Sequence, residues 1–432
     1  MVILYVNNFR GFNKTFIKLT DVNFLLGENS TGKTSILSLI NIISNQKFWF
    51  SQDFNTDEVE LGYFSEIISA NAKEKFFEIG LLDCSQKNKN NVSAFYMKFI
   101  EDEGSPFLSE YKFLTDNKSV TILKSKDNIK YVFKELKLAK KQDDYLESFT
   151  DWVEDANNNS PSKLTELKIN EEVPLPILQN IILNEINNKN KIGIDRNSIP
   201  IFLSNLTWIA PIRAKPKKNY DAYKVSFSSE GDHIPYILKN LFQNGEKGNS
   251  HDIKKDLEKF GLDSGLFEKI SIKTLGDDKT SPFEINIVLN DIPLKITNVG
   301  YGVSQILPII VEILARSNST CFAIQQPEVH IHPKGQAALG ELFFHSAKHD
   351  NKTFIIETHS DFIVDRYRLA LRKSNKKTKE KSSNAQILFF ERTNNGNVIH
   401  TIAIDERGDY SENQPQAFKD FFIKEELDML SY

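Results

Sequence analysis

The stretch GENSTGKTS at residues 27–35 constrains the chain more than any other. It satisfies G-x-x-x-x-G-K-[ST] with Gly27, Gly32, Lys33 and Thr34. The apolar run VNFLL precedes it, and GKTSILSLINIIS follows with apolar residues at helical spacing. A loop of this kind needs a strand to enter by and a helix to leave by, so the expected fold class is α/β. The residue types suit phosphate. Glycines let the backbone curl so that successive N–H groups face phosphate oxygens. The helix N-terminus adds partial positive charge. Lys33 is placed to reach the terminal phosphates, and the Thr34 hydroxyl to ligate magnesium. Asn29, Ser30, Thr31 and Ser35 complete the candidate segment, and ATP with Mg2+ is the expected cofactor. A chance glycine-rich turn would lack the flanking strand and helix.

The rest of the composition sets bounds. A chain of 432 residues has room for one large or two ordinary domains. With 40% hydrophobic and 26% charged residues it reads as globular. No apolar run approaches the ~20 residues needed to span a membrane. The start, MVILYVNNFRGF, shows no secretory signal. Two cysteines, Cys84 and Cys321, give no disulfide framework and fit a reducing cytoplasm, the expected location. A net charge of −4 excludes a globally basic nucleic-acid binder, though not a local basic patch such as RAKPKKNY or RKSNKKTKEK.

Along the chain, ILYVNNF, TFIKL and VNFLLG read as strands before the loop. Residues 75–135 are again strand-rich, with KFFEIGLL, SAFYMKFIE and KSVTIL. The texture then changes. VFKELKLAKKQDDYLESFTDWVEDANN and PLPILQNIILNEINNKNK read as helices, too short for a long coiled coil. From 205 onward α/β character returns, with STCFAI and TFIIETHS as buried strands. RKSNKKTKEKSSN at 372–384 reads as a surface loop. The expected organisation is residues 1–135 with the phosphate loop, a helical insertion at 136–204, and residues 205–432.

Further segments carry a resemblance. LYVNNFRGFNKTFIKL ahead of the loop, WIAPIRAKPKKNYD with EGDHIPYIL, NVGYGVSQILPII at 298–310, PEVHIHPKGQ and FIIETHSDFIVDR occur in an order similar to that of RecF-like and OLD-like ATPases of the ABC/SMC class. Among these, the chain most resembles the ATPase subunits of bacterial anti-phage systems, the PtuA type of Septu and of a Septu-carrying retron. The resemblance implies an ABC-type ATPase head, a mixed sheet with flanking helices. It implies two heads packed head-to-tail around ATP as a homodimer or higher homo-oligomer. One head gives its P-loop, and the other gives a signature segment, here Gly300, Gly302, Ser304 and Gln305. His359 matches the switch histidine at the γ-phosphate. His330 and His332 belong to the PExHxHP segment, so zinc is not expected.

The same resemblance raises a difficulty in CFAIQQPEVHIHP. Gln325 stands at the acidic magnesium position and Gln326 at the position of the usual catalytic carboxylate. An amide cannot take a proton from water as a carboxylate can, although it can orient water. It also gives magnesium only weak, uncharged coordination. Glu328 is the nearest acid in the segment. A site that binds ATP well and hydrolyses it slowly is expected. Past ETHSDFIVDR, AQILFFER and NVIHTIAID read as a strand pair and PQAFKDFFIKEELDML as a helix. Asp405, Glu406 and Asp409 read as loop charges rather than a nuclease cluster. Nuclease chemistry is therefore expected on a separate HNH-type subunit, with a reverse transcriptase and its DNA, or another nucleic acid, as further possible partners. A RecF-like repair ATPase and a solitary ATP-dependent nuclease are the alternatives.

Overall fold

The computed structural model describes residues 1–84, 92–115, 118–126, 128–136, 145–154, 164–167, 173–190, 205–221, 226–243, 249–278, 280–375 and 384–420. The first strands are β1 (Val2–Asn7), β2 (Thr15–Leu19) and β3 (Val22–Gly27), followed by helices α1 (Lys33–Ser44), α2 (Gln46–Ser51) and α3 (Phe64–Ile67). Then come β4 (Phe76–Asp83), β5 (Ser93–Asp102), β6 (Ser105–Thr115), β7 (Lys118–Lys124) and β8 (Ile129–Glu135). Next are α4 (Tyr145–Glu154), β9 (Thr165–Leu167), α5 (Leu175–Asn190), β10 (Leu206–Ile209), α6 (Ile234–Gln243) and α7 (Asn249–Ser264). β11 (Lys269–Thr274), β12 (Phe283–Leu289) and β13 (Ile292–Lys295) lead to α8 (Tyr301–Ala315). The remainder is β14 (Cys321–Gln325), α9 (Pro333–Asp350), β15 (Thr353–Glu357), α10 (Asp361–Asn375), β16 (Ala385–Thr393) and β17 (Gly396–Ile404). The chain divides into two compact units.

The first unit comprises Met1–Thr20, Glu28–Ser204 and Phe390–Ile399. Its sheet runs β2-β1-β4-β5-β6-β7-β8-β9, antiparallel throughout. Strict alternation gives the sheet two faces. On one, Phe77, Ile79 and Leu81 lie opposite Phe99, Met97 and Phe95, and Trp49 and Phe54 pack edge-on against those rings. Gln179 of α5 bonds the Tyr111 hydroxyl on that face. On the other, Ile3, Tyr5, Leu82, Ala94, Tyr96 and Leu114 bury Phe149, Trp152 and Val153 of α4. The Trp152 indole N–H donates to Ser119 Oγ at 2.9 Å, and Lys112 Nζ to the Trp152 carbonyl at 3.1 Å. The stretch 136–204 thus holds a strand as well as helices, and α4 packs flat on the sheet.

The second unit comprises Asp21–Gly27, Asn205–Phe389 and His400–Tyr432. Its main sheet runs β10-β14-β15-β3-β16-β17, with β10, β14, β15 and β3 mutually parallel; the far ends of β16 and β17 count with the first unit. Parallel strands buried on both faces are near-continuous apolar runs, as CFAI and TFII are. A small antiparallel sheet, β11-β12-β13, precedes α8. One core joins Phe24, Phe322, Ile324, Phe354 and Ile356 of the sheet to Ile306, Ile310, Leu339, Phe343 and Tyr367 of α8, α9 and α10.

Two local expectations are corrected. Val132–Glu135, read as the start of a helix, closes β8, because Ile129, Tyr131 and Phe133 alternate with Lys130 and Lys134 at the strand period. Residues 137–144 and 155–158 of that stretch lie outside the described residues. The surface loop begins later than 372, because α10 continues through Asn375; 376–383 lie outside the described residues. The last helix starts at 416, and 421–432 are likewise outside. Among the described residues no helix is long and apolar enough to cross a membrane.

Candidate nucleotide site

β3 ends at Gly27, and the phosphate loop begins there. Gly27 has φ of 134°, Ser30 61° and Gly32 94°, so the backbone turns through left-handed conformations that only glycine adopts freely. Within the first unit, Thr31 Oγ1 donates to the Glu28 carbonyl at 2.8 Å and Lys33 Nζ to the same carbonyl at 2.6 Å. Lys33 is only 4% exposed, while Asn29, Ser30 and Thr34 face solvent and Ser35 is half-buried. Gly32 caps α1, and no acid sits in the first helical turn, which leaves the helix N-terminus electropositive. A loop with curled backbone, an adjacent buried lysine, a hydroxyl and a helix N-terminus fits a magnesium nucleotide.

Gly32 is required twice over. A Cβ there would meet the Phe12 ring at 2.5 and 2.6 Å, and Phe12 belongs to the NNFRGF segment. Gly32→Ala is expected to lower unfolding free energy by about 1–3 kcal/mol through strain and overpacking. Urea denaturation followed by circular dichroism reads it directly. Wild-type stability in the variant would mean that the loop and ring yield without cost.

In the second unit, β14 ends at Gln325, and the register aligns Gln325 with Glu357 of β15 and Glu357 with Leu25 of β3. Gln325 is 8% exposed and Glu357 4%, and the Gln325 amide donates to Glu357 Oε2 at 3.3 Å. Gln326 lies just past the strand with φ of 41°, its N–H donating to the Glu357 carbonyl at 2.7 Å. Glu328 points at the switch segment. Its carboxylate accepts from Thr358 Oγ1 and from the His359 N–H, both at 2.7 Å, which leaves the His359 ring exposed. His332 caps α9, accepting from the Gly335 N–H, and His330 packs edge-on against Tyr301.

One residue at this strand end has no counterpart in the sequence reading. Arg213, 1% exposed, donates from Nη2 to the carbonyls of Gln325 and Gln326 at 3.1 and 3.3 Å. Burial pushes its pKa down to about 10, against the nearby Glu328 charge, which raises it. Its Nε and Nη1 show no hydrogen-bond partner among the described residues. The only signal was an arginine amid apolar residues in WIAPIRA.

The signature residues divide. Gly300 caps α8 and is exposed, and a Cβ there would meet nothing within 4 Å. Gly302 lies against the His330 carbonyl, 2.8 Å from where its Cβ would be. Ser304 and Gln305 are buried and donate to the carbonyls of Tyr301 and Arg213, at 2.7 and 3.5 Å. Beneath them His233 and Glu312 meet at 2.5 Å, both buried, and Arg316 closes on the same carboxylate. His233 Nδ1 accepts from the Ser228 N–H, so Nε2 carries the proton toward Glu312. Burial pushes the Glu312 carboxyl up, but the hydrogen bonds from His233 and Arg316 and the guanidinium charge outweigh it and hold the carboxyl below its ordinary range. This ties the EGDH segment to the signature helix.

The acids after β17 are taken up locally. Asp405 Oδ1 accepts from the Arg407 and Asp409 N–H groups, and Asp409 pairs with Arg372.

Among solved structures, the fold is similar to an SMC head bound to the C-winged helix domain of ScpA, at 10% identity over 94% of this chain and 98% of that one, TM-score 0.45. It is also similar to the SMC head domain from Thermotoga maritima, at 11% over 92% and 97%, TM-score 0.37. A structure of the recombination mediator protein RecF is similar at 12% over 92% and 97%, TM-score 0.30. No curated protein matches the chain in sequence. The family model of the AAA ATPase domain matches residues 1–364, a span that includes the phosphate loop, the signature segment, the β14 end and His359. The chain belongs to the AAA ATPase domain family.

Proposed function

We propose that this chain is an ATP-binding head that joins a second copy of itself through the nucleotide and turns ATP over slowly. The observation that carries the reading is a phosphate loop with curled backbone opening α1, in a chain that carries the amides Gln325 and Gln326 where the resemblance expects acids. The one acid nearby in the segment, Glu328, is engaged with Thr358 and His359. Tight binding without a strong base favours a standing nucleotide complex over rapid cycling.

In this reading Gly300 and the exposed Tyr301 present the signature helix N-terminus to the γ-phosphate of the opposing copy, while Gln305 ties that helix to the Arg213 carbonyl. Gly300→Asp is the clean probe, because its side chain enters open space, whereas Gly302→Asp would also strike the His330 carbonyl. A carboxylate at ~4 Å from a phosphate charge costs about 4 kcal/mol at an effective dielectric of 20. Light scattering is expected to show ATP-dependent dimers for the wild type and none for Gly300→Asp, with monomer ATP affinity kept. Equal dimerisation of both proteins would sink the head-to-tail arrangement.

The partners follow from the motif order. The chain is the ATPase subunit of a bacterial anti-phage complex of the Septu or retron type, and a separate nuclease does the cutting. The local engagement of Asp405 and Asp409 supports placing that chemistry elsewhere. Purification of the native complex tests this. Co-elution of an HNH-type nuclease, or of a reverse transcriptase with its DNA, supports it. Co-elution with DNA alone favours the RecF-like repair reading instead.

A further inference from the structure

Within the second unit, α7 packs on α9 and leaves a groove of about 270 Å3 between them. Its floor is apolar. Phe260 of α7 and Ala338 of α9 are buried there, and Leu314 of α8 and Leu342 of α9 are half-buried. Its rim is acidic: Asp256 and Asp263 of α7 and Glu341 and Asp350 of α9 set four carboxylates against the one ammonium of Lys259. Helical spacing explains the mixture. Positions 256, 260 and 263 share one face of α7, and 338, 342 and 345 share one face of α9, so apolar and charged groups meet along the same groove. We infer that this groove docks a short segment of a partner protein in which an apolar side chain is flanked by lysine or arginine.

Charge selects that occupant. Glu341 pairs with Arg366 at 3.4 Å, and Asp350 with Lys352 at 3.0 Å. Asp256 and Asp263 form no ion pair among the described residues. Burial raises the Asp256 carboxyl, Lys259 lowers it, and Asp252 and Asp350 raise it further. A cation arriving from outside relieves that crowding. Burial also pushes the His345 imidazole below its ordinary range, so at neutral pH it adds no positive charge to the rim. The shape suits a chain segment rather than a free ligand. Small-molecule pockets enclose about 300–1,000 Å3 and bury most of their occupant. Along this groove Asp256, Lys259, Asp263, His345 and His349 are exposed. Lysine and arginine lay their aliphatic stems on apolar surface and keep the charged head in water, which matches an apolar floor beneath an acidic rim.

The test is fluorescence anisotropy of three labelled hexapeptides with the full chain at physiological salt. KRLLRK carries both features, KRGGRK lacks the apolar anchor, and EELLEE reverses the charge. KRLLRK is expected to bind about tenfold or more tightly than either of the others, the size expected for burying a leucine side chain. Asp256→Asn with Asp263→Asn should weaken KRLLRK roughly 2–30-fold, since an exposed charge pair is worth up to about fivefold. Asp256→Lys with Asp263→Lys should reverse the order in favour of EELLEE, and Asp57→Lys on the first unit should change nothing. Leu342→Ser should remove the advantage of KRLLRK over KRGGRK. Both acids of α7 are exposed, so the charge variants keep the fold, which circular dichroism checks. No binding of KRLLRK, equal affinities for the three peptides, or an unchanged order in the charge-reversed variant overturns the assignment. Nucleotide-free self-association of the wild type that the charge reversal abolishes would give the groove to a second copy and overturn it as well.

Discussion

Lys33→Ala is expected to weaken ATP binding roughly 1,000-fold while leaving the fold intact. The size follows from charge. A lysine about 4 Å from a phosphate charge contributes about 4 kcal/mol at an effective dielectric of 20, and each 1.4 kcal/mol is about tenfold in affinity. The structure explains why the fold survives. Lys33 opens α1, where alanine is a strong helix former. Its ammonium donates to the Glu28 carbonyl at 2.6 Å, and Glu28 is exposed, so water takes over that acceptor. The Thr31 hydroxyl continues to hold the same carbonyl. Calorimetry with ATP reads the affinity, and thermal unfolding reads the fold. A variant within threefold of wild type would remove the loop from nucleotide binding.

The parts of this molecule that were legible in sequence are those that local physics determines. VNFLLG, CFAI and TFII are near-continuous apolar runs bounded by polar turns, and each is a buried parallel strand. The phosphate loop declared itself because glycine spacing and flanking periodicity must occur together. What stayed hidden depends on strand order and side-chain direction. Glu357 follows Gln325 by 32 positions, and only the adjacency of β14 and β15 makes them partners. Pro327 fixed the direction of Glu328 in a way that sequence could not read, and the carboxylate reaches across to Thr358 and His359. Arg213 was obscured for the same reason: its partners are carbonyls of a strand more than a hundred residues away. The β8 misreading came from charge, since Lys130 and Lys134 on one exposed face, with Glu135 after them, resemble a solvated helix unless the alternation is followed.

Restoring acids at the β14 end is expected to separate two effects that a double substitution would confuse. Gln326→Glu alone should raise ATP turnover, because it returns a general base to the position of the catalytic carboxylate. Such a base is typically worth 10²–10⁴-fold. The substitution is nearly isosteric, and the backbone that carries it is anchored by the Gln326 N–H to the Glu357 carbonyl and by Arg213 on the Gln326 carbonyl. Gln325→Glu should act otherwise. It exchanges an amide donor 3.3 Å from Glu357 for a second carboxylate in a buried place. One acid of that pair is then held protonated, its folded pKa above the unfolded value. The resulting variant is stable at low pH and loses stability as pH rises through that pKa. Mg2+ with ATP should restore the melting temperature, since a cation between the carboxylates relieves the repulsion. Phosphate-release assays and melting curves at several pH values, with and without Mg2+ and ATP, measure both. A wild type that already turns over ATP several times per second would show that a base exists without residue 326.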